Sequence, residues 1–278
     1  MAINTAPRPG APSDTIPSVK WQSAWNFERI HALLIFGLFI LYGTFRAFEN
    51  NYYDIPRMFE AGNFLSADGT VPHLLSPYYS PPLHHLSFWP AFLSPSLLLL
   101  AFPGSFRFSC YFCRRTYYRA VFGTPPSCAA KEVMKRSNYT GEREFPFYLQ
   151  NLHRYTLYFI MVFVFFHWLH LIEAFNFGGG KYGVGVGTLI CAVDTVLLSL
   201  YVGSCHSFRH LVGGITNKFS ASTRTMFEAK VWKKVSKLNE RHGTFFWTSL
   251  YSVGLYDFYV RSVASGAIRD LHVILINR

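Results

Sequence analysis

Four of the five cysteines, Cys110, Cys113, Cys128 and Cys205, fall in or beside two long stretches rich in Lys and Arg, as do His153, His206 and His210. Thiolates and imidazoles are the side chains that hold soft and borderline transition metals. The run Cys205-His206-Ser207-Phe208-Arg209-His210 places two imidazoles at i and i+4 on one helical face, a spacing able to grip one metal. Two Cys on one iron and two His on a second is the Rieske arrangement, which raises the potential above that of an all-Cys cluster. Histidines from two helices would equally serve as axial ligands to haem. Taken singly, each thiol is also an ordinary packed core residue. Spacing alone leaves these three readings open.

Other residues carry weaker signals. Arg154 and Tyr155, with Arg115, Tyr117, Tyr118 and Arg119, offer charge, phenol and ring where a quinone headgroup would need donors beside an apolar channel. His84, His85, His167 and His170 form a second group, suited to haem ligation, a proton route or an interfacial belt beside Trp89 and Trp168. Asp194 sits in an apolar run, where an ionisable group is costly and marks function by default. Cys191, one turn away, reads as packing.

The elements that must position these groups follow from composition. Half of the 278 residues are hydrophobic and only 15% are charged, against about 25% charged in soluble domains. The charges crowd between long apolar stretches, as a bilayer sorts them. A hydrocarbon core about 30 Å thick needs roughly 20 apolar residues per helix. Five spans are predicted, at about 30–48, 83–102, 151–175, 184–202 and 244–260, the last interrupted by Asp257. The expected class is an all-α membrane protein with a five-helix domain over 30–264. A partly disordered cytoplasmic lead would cover 1–29, and an outer tail 265–278. The 104–150 and 206–241 loops hold eight Lys/Arg each, whereas 49–82 holds only Arg57 and 176–183 only Lys181. Positive charge marks the cytoplasmic side, so both basic loops and the N-terminus face inward and the metal-ligand candidates gather at that surface. Disulfides are not expected there. Phe106–Phe122 and Thr225–Arg241 read as amphipathic helices at the interface. The net charge of +11 is accounted for by these loops, and no nucleic-acid motif accompanies it.

Several motifs together resemble a known family. The run from Pro103 to Arg119 (PGSFRFSCYFCRRTYYR) is similar to a stretch of bacterial succinate dehydrogenase cytochrome-b-like membrane anchors, the mycobacterial type included. The similarity continues through 125–129, 149–155, 185–189 and 205–214.

The resemblance implies an anchor in the bacterial plasma membrane for a flavoprotein (FAD) subunit and an iron–sulfur subunit, open to assembly into a higher oligomer. It further implies electron delivery to a membrane quinone, menaquinone being expected. It also implies a Rieske-type [2Fe–2S] cluster in place of haem b. Carried over by position, the ligand pool is Cys110, Cys128, Cys205, His153, His206 and His210. The preferred assignment gives His206 and His210 to one iron and two of the three cysteines to the other, with His153 in reserve or, with Arg154, donating to quinone. Cys113 stands where the family pattern has an aromatic residue, and Asp194 where Asn is expected. Haem b in the same complex is one alternative. A transporter or channel using Asp194 and the outer histidines is another.

Overall fold

The computed structural model describes residues 18–62, 69–80, 94, 96–113, 143, 147–214 and 216–277. The chain is mostly helical. Helix α1 runs Ser18–Glu49, α2 Ile55–Glu60, α3 Ser96–Phe108, α4 His153–Glu173, α5 Val186–Gly203, α6 His206–Arg209, α7 Thr223–Asn239 and α8 His242–Ala264. Among the described residues, three stretches are long and apolar enough to cross a membrane: Ile30–Glu49, Tyr148–Glu173 and Val186–Gly203. They correspond to the first, third and fourth expected spans. The second span falls largely outside the described residues. Its described end, α3, continues through Pro103 to Phe108. The residues of the fifth expected span lie in α8, whose 23 residues extend about 35 Å at 1.5 Å per residue.

Helices α5 and α8 pack antiparallel along their whole length. Cys191, Asp194, Leu198 and Tyr201 of α5 and Phe246, Ser249, Leu250 and Tyr256 of α8 are all buried. The spacing of three and four residues on both helices is the apolar-stripe periodicity of a packed helix. Asp257 does not interrupt α8, because Arg261 one turn on pairs with it inside the bundle.

The segments predicted to share a membrane face do meet. At one end, the backbone amides of Val71 and His73 donate to the carbonyls of Phe177 and Asn176 at 2.8 and 3.1 Å. There Lys181–Gly185 (β1) also pairs antiparallel with His272–Asn277 (β2), Lys181 opposite Asn277 and Gly185 opposite His272. This is the sheet end. At the other, basic end, residues 105–113, the turn at 147–152, α6 and the start of α8 come together.

Two expectations need correction. The fold is not purely helical, since the C-terminal tail forms β2. Its β-branched residues pair across ninety residues of sequence with β1, where Gly183 admits the partner backbone. A Cβ on Gly183 would lie 2.3 Å from the Val273 carbonyl oxygen, so Gly183→Ala is expected to unseat β2. Limited proteolysis of the tail should then run several-fold faster, with the rest of the chain unchanged. Within the expected lead, the described residues from Ser18 on belong to α1. Phe106–Phe122 is not one continuous helix. The Ser109 hydroxyl donates back to the Ser105 carbonyl at 2.6 Å, α3 stops at Phe108, and Cys110 turns into the bundle. Residues beyond Cys113 in that segment lie outside the described set. The stretch from Thr225 to Arg241 is helical over most of its length as α7, capped by Ser222 and Thr225.

Candidate functional site

The basic end gathers two thiols and two imidazoles from four separate segments. Cys110 follows α3, His153 opens α4, Cys205 links α5 to α6, and His242 opens α8. The Cys110 Sγ lies 3.2 Å from the His242 Nε2, and the Cys205 Sγ 3.0 Å from the His153 Nε2. The two pairs are neighbours: Cys110 and Cys205 feel each other's charge, as do His153 and His242. All four are buried.

Each ring is stacked on one face and held at its other nitrogen. Phe106 stacks on His153 with centroids 4.4 Å apart, and Tyr201 on His242 at 5.2 Å. The Ser109 hydroxyl meets His153 Nδ1 at 3.1 Å and the Ser204 hydroxyl meets His242 Nδ1 at 2.8 Å. A metal-binding histidine is characteristically fixed this way, with one nitrogen free for the metal and the other hydrogen-bonded. Above them, the Arg107 guanidinium sits 4.5 Å over the Tyr201 ring and donates to the Phe246 carbonyl and the Ser249 hydroxyl.

The electrostatics keep both thiols protonated and the His242 ring neutral. Burial pushes the Cys205 thiol up to about 12, with the neighbouring Cys110 adding to it, and burial likewise raises Cys110. Such thiols become thiolates only beside a strong positive charge, which a bound metal supplies. Burial, the Arg107 charge and His206 push His242 down to about 4, leaving a neutral imidazole, the form that ligates. Among the described residues no three such groups converge on a single ion. The donors stand as two pairs, one thiol and one imidazole in each.

The structure separates the sequence-predicted residues. Cys110, Cys205 and His153 come together. His206 and His210 are exposed and line a groove of about 330 Å³ with His153, Arg154, Tyr111 and Gln150. Beside it, Tyr155 is exposed and carries the Arg154 guanidinium 5.3 Å over its ring. A second groove of about 1020 Å³ opens on the other flank, where His242 meets Tyr111, His206 and Trp247. Cys128, Arg115, Tyr117 and Arg119 lie outside the described residues, as do His84 and His85. Cys113 is buried nearby and Cys191 packs in the α5–α8 interface.

His242, which the structure places with Cys110, Cys205 and His153, was not singled out from the sequence. It sits in a His-Gly-Thr step at the edge of a basic loop and outside every matched motif. The signal was nonetheless there, since charge counting already placed the start of the last span at the same surface as the cysteines.

Fold and site together define a polytopic helical membrane protein with a buried thiol–imidazole centre at its basic end. The family model for the actinobacterial succinate dehydrogenase subunit SdhC matches residues 27–266, and the chain belongs to that family. Among solved structures it is similar to a chain described as "Mycobacterium smegmatis Sdh1 complex in the apo form", with 33% identity, 98% of both chains covered and a TM-score of 0.74. No curated protein matches it. The chain is thus a membrane-anchor subunit of a succinate dehydrogenase complex, as the motifs suggested.

Proposed function

We propose that this chain is the quinone-reactive anchor of its complex and that Cys110, Cys205, His153 and His242 hold a Rieske-type [2Fe–2S] group. What supports this most is the pairing of two buried thiols with two buried imidazoles, each imidazole braced by a serine hydroxyl. When bound, such a group supplies one-electron transfer at a potential raised by its two imidazole ligands. The chain's own residues prepare the place. Ser109 and Ser204 fix ring orientation, and Phe106 and Tyr201 keep water from the ring faces. Arg107 adds a positive charge that favours the anionic, electron-rich form.

His206 and His210 then belong to the neighbouring groove, which takes the quinone headgroup. Arg154 and the imidazoles there are donors for quinone carbonyls, and the exposed rings of Tyr155 and Tyr158 lead an isoprenoid tail into lipid. Arg115, Tyr117 and Arg119 complete that site in this reading, with menaquinone as the substrate. The basic end faces the cytoplasm of a bacterial cell, by the positive-inside rule, and receives the iron–sulfur subunit, itself joined to the flavoprotein.

The test is an EPR spectrum of the dithionite-reduced complex purified through this chain. A Rieske-type signal with low average g is expected, lost in Cys205→Ala and retained in Cys191→Ala. A sharp haem α-band with no such signal overturns the assignment.

A further inference from the structure

Helices α5 and α8 leave a groove of about 600 Å³ on the outer face of the bundle, lined by no other element among the described residues. Leu189, Val193 and Leu197 form one wall, and Leu255 and Phe258 the other. Leu189, Val193, Leu255 and Phe258 are each more than half exposed, as carbon facing lipid tails can be at little cost.

The polar groups along the groove are engaged elsewhere. The Thr248 hydroxyl donates back to the Thr244 carbonyl at 2.9 Å, and the Tyr259 hydroxyl donates to Asp270 at 2.6 Å. The Tyr251 hydroxyl meets the His31 ring of α1, and the Ser252 hydroxyl lies beside the buried Asp194 carboxyl. The groove therefore presents carbon along its length. A quinone headgroup would find no spare donor for its carbonyls there.

Length decides between the remaining occupants, a helix of a second copy and a lipid chain. The groove starts near the sheet end, at Leu189 and Tyr259, and stops at Thr248, past the middle of α8. From Thr248 to Tyr259 the helix rises about 16 Å at 1.5 Å per residue, close to one leaflet of a hydrocarbon core about 30 Å thick. At the next residue, Trp247 packs on Phe36 of α1 with ring centroids 5.3 Å apart. A spanning helix would need a groove through the whole depth, whereas an acyl chain of one leaflet ends where this groove ends.

The sheet end supplies the level of a headgroup. Asp270 accepts from the Tyr259 hydroxyl and, at 2.8 Å, from the Gly187 amide, which fixes the 265–271 turn at the end of the groove. Arg269 in that turn is exposed, and a guanidinium takes a phosphate through paired hydrogen bonds. The Val186 amide donates to the Leu271 carbonyl at 2.9 Å, so β2 continues the lipid-facing belt of α5. Leu271, Val273 and Leu275 alternate onto one face of the strand and are 73%, 65% and 68% exposed. No third strand pairs with β2 among the described residues. An open edge is not tolerated in hydrocarbon, while three bare apolar side chains favour leaving water. Both conditions are met at headgroup depth.

We propose that the α5–α8 groove binds a diacyl phospholipid of the sheet-end leaflet, with one acyl chain along the groove and the phosphate on Arg269 at the foot of the β1–β2 ribbon. The lipid covers the α5–α8 seam, and so stabilises the pairing that sets His242 beside Ser204.

The test takes the whole complex, purified through this chain in a mild detergent and washed until its phospholipid content is constant. Phosphorus per chain is then measured, and the extracted lipid is identified by mass spectrometry. The wild type should retain phospholipid. Val193→Trp, which fills the groove, should retain one molecule fewer per chain. Leu33→Trp, an equally bulky change on the exposed face of α1, should retain the wild-type amount. Added phosphatidylglycerol should raise the midpoint of thermal unfolding of the wild type and of Leu33→Trp, but not of Val193→Trp. Arg269→Ala, a surface change, should weaken retention several-fold, which keeps the test open if Val193→Trp fails to assemble. Equal retention in the wild type, Val193→Trp and Arg269→Ala overturns the site. So does loss of a larger oligomer in Val193→Trp with phospholipid unchanged, which assigns the groove to a second copy. Quinone recovered in place of phospholipid overturns it too, and assigns the groove to a quinone tail.

Discussion

Replacing His242 with alanine is expected to abolish the reduced EPR signal and to lower succinate:quinone turnover more than tenfold, while His210→Ala keeps the signal. The contrast follows from geometry. The His242 ring touches Cys110, is braced by Ser204 and is covered by Tyr201. The His210 ring is exposed, lies against Gly214 and lines the groove. His206→Ala and His210→Ala should instead raise the KM for quinone several-fold with the signal intact. Two controls separate loss of a ligand from loss of the fold. The truncation leaves a buried thiol and hydroxyl less well paired, a cost of about 1–3 kcal/mol, which a helical bundle of this size tolerates. Succinate oxidation with a soluble dye, a reaction of the partner subunits, should persist in the His242→Ala complex. If the EPR signal survives in His242→Ala and vanishes in His206→Ala or His210→Ala, the imidazole pair is assigned wrongly and the i, i+4 reading of the sequence is restored.

What the sequence made legible depended on how local the signal was. Charge sorting and apolar runs are local, and they located α1, α4, α5 and α8 to within a few residues at most boundaries, except that α1 begins twelve residues earlier. The same charge count predicted that 49–82, 176–183 and the tail share one face. The backbone bonds from Val71 and His73 and the β1–β2 pairing now join these segments. The strand itself was illegible, because β1 and β2 are short and far apart in sequence, and neither repeats the alternating pattern for long. The site divides in the same way. Cys110, His153 and Cys205 lie in motifs, and the structure brings them together. His242 enters through the antiparallel pairing of α5 with α8, which sets it beside Ser204. That is a tertiary fact no spacing encodes. His206 and His210 show the converse: their spacing satisfies a local rule, yet the chain turns there into a π-type turn over His210–Gly214 that leaves both rings exposed.

Arg261→Met should destabilise the anchor by about 3–5 kcal/mol, because it leaves a buried carboxylate without its partner. Asp257 is fully buried. Its oxygens accept from Arg261 Nε at 3.0 and 2.9 Å, from the Tyr42 hydroxyl at 2.5 Å and from the Ser76 hydroxyl. Arg261 also reaches Glu49 at 3.0 Å and the Asn51 carbonyl at 2.5 Å, and its guanidinium lies 5.8 Å over the Tyr79 ring. The pair therefore ties α8 to α1 and to the 50–80 segment at the sheet end. At about 2–4 °C per kcal/mol for a chain of this size, the midpoint of thermal unfolding in detergent should fall by on the order of 10 °C. Asp257→Asn keeps the shape and the acceptor oxygen and leaves Arg261 its Glu49 partner, so its cost should be smaller. The double variant Asp257→Asn/Arg261→Met carries no unpaired charge and should recover part of the loss. A double variant as unstable as the sum of the two singles would show that the residues act independently, through packing rather than charge. The same pairing explains why the last span looked weakest in the sequence: an acid in an apolar run signals a break only until its base is found one turn away on the same helix. Together they are a neutral unit that a helix can carry among its neighbours, which an isolated Asp257 is not.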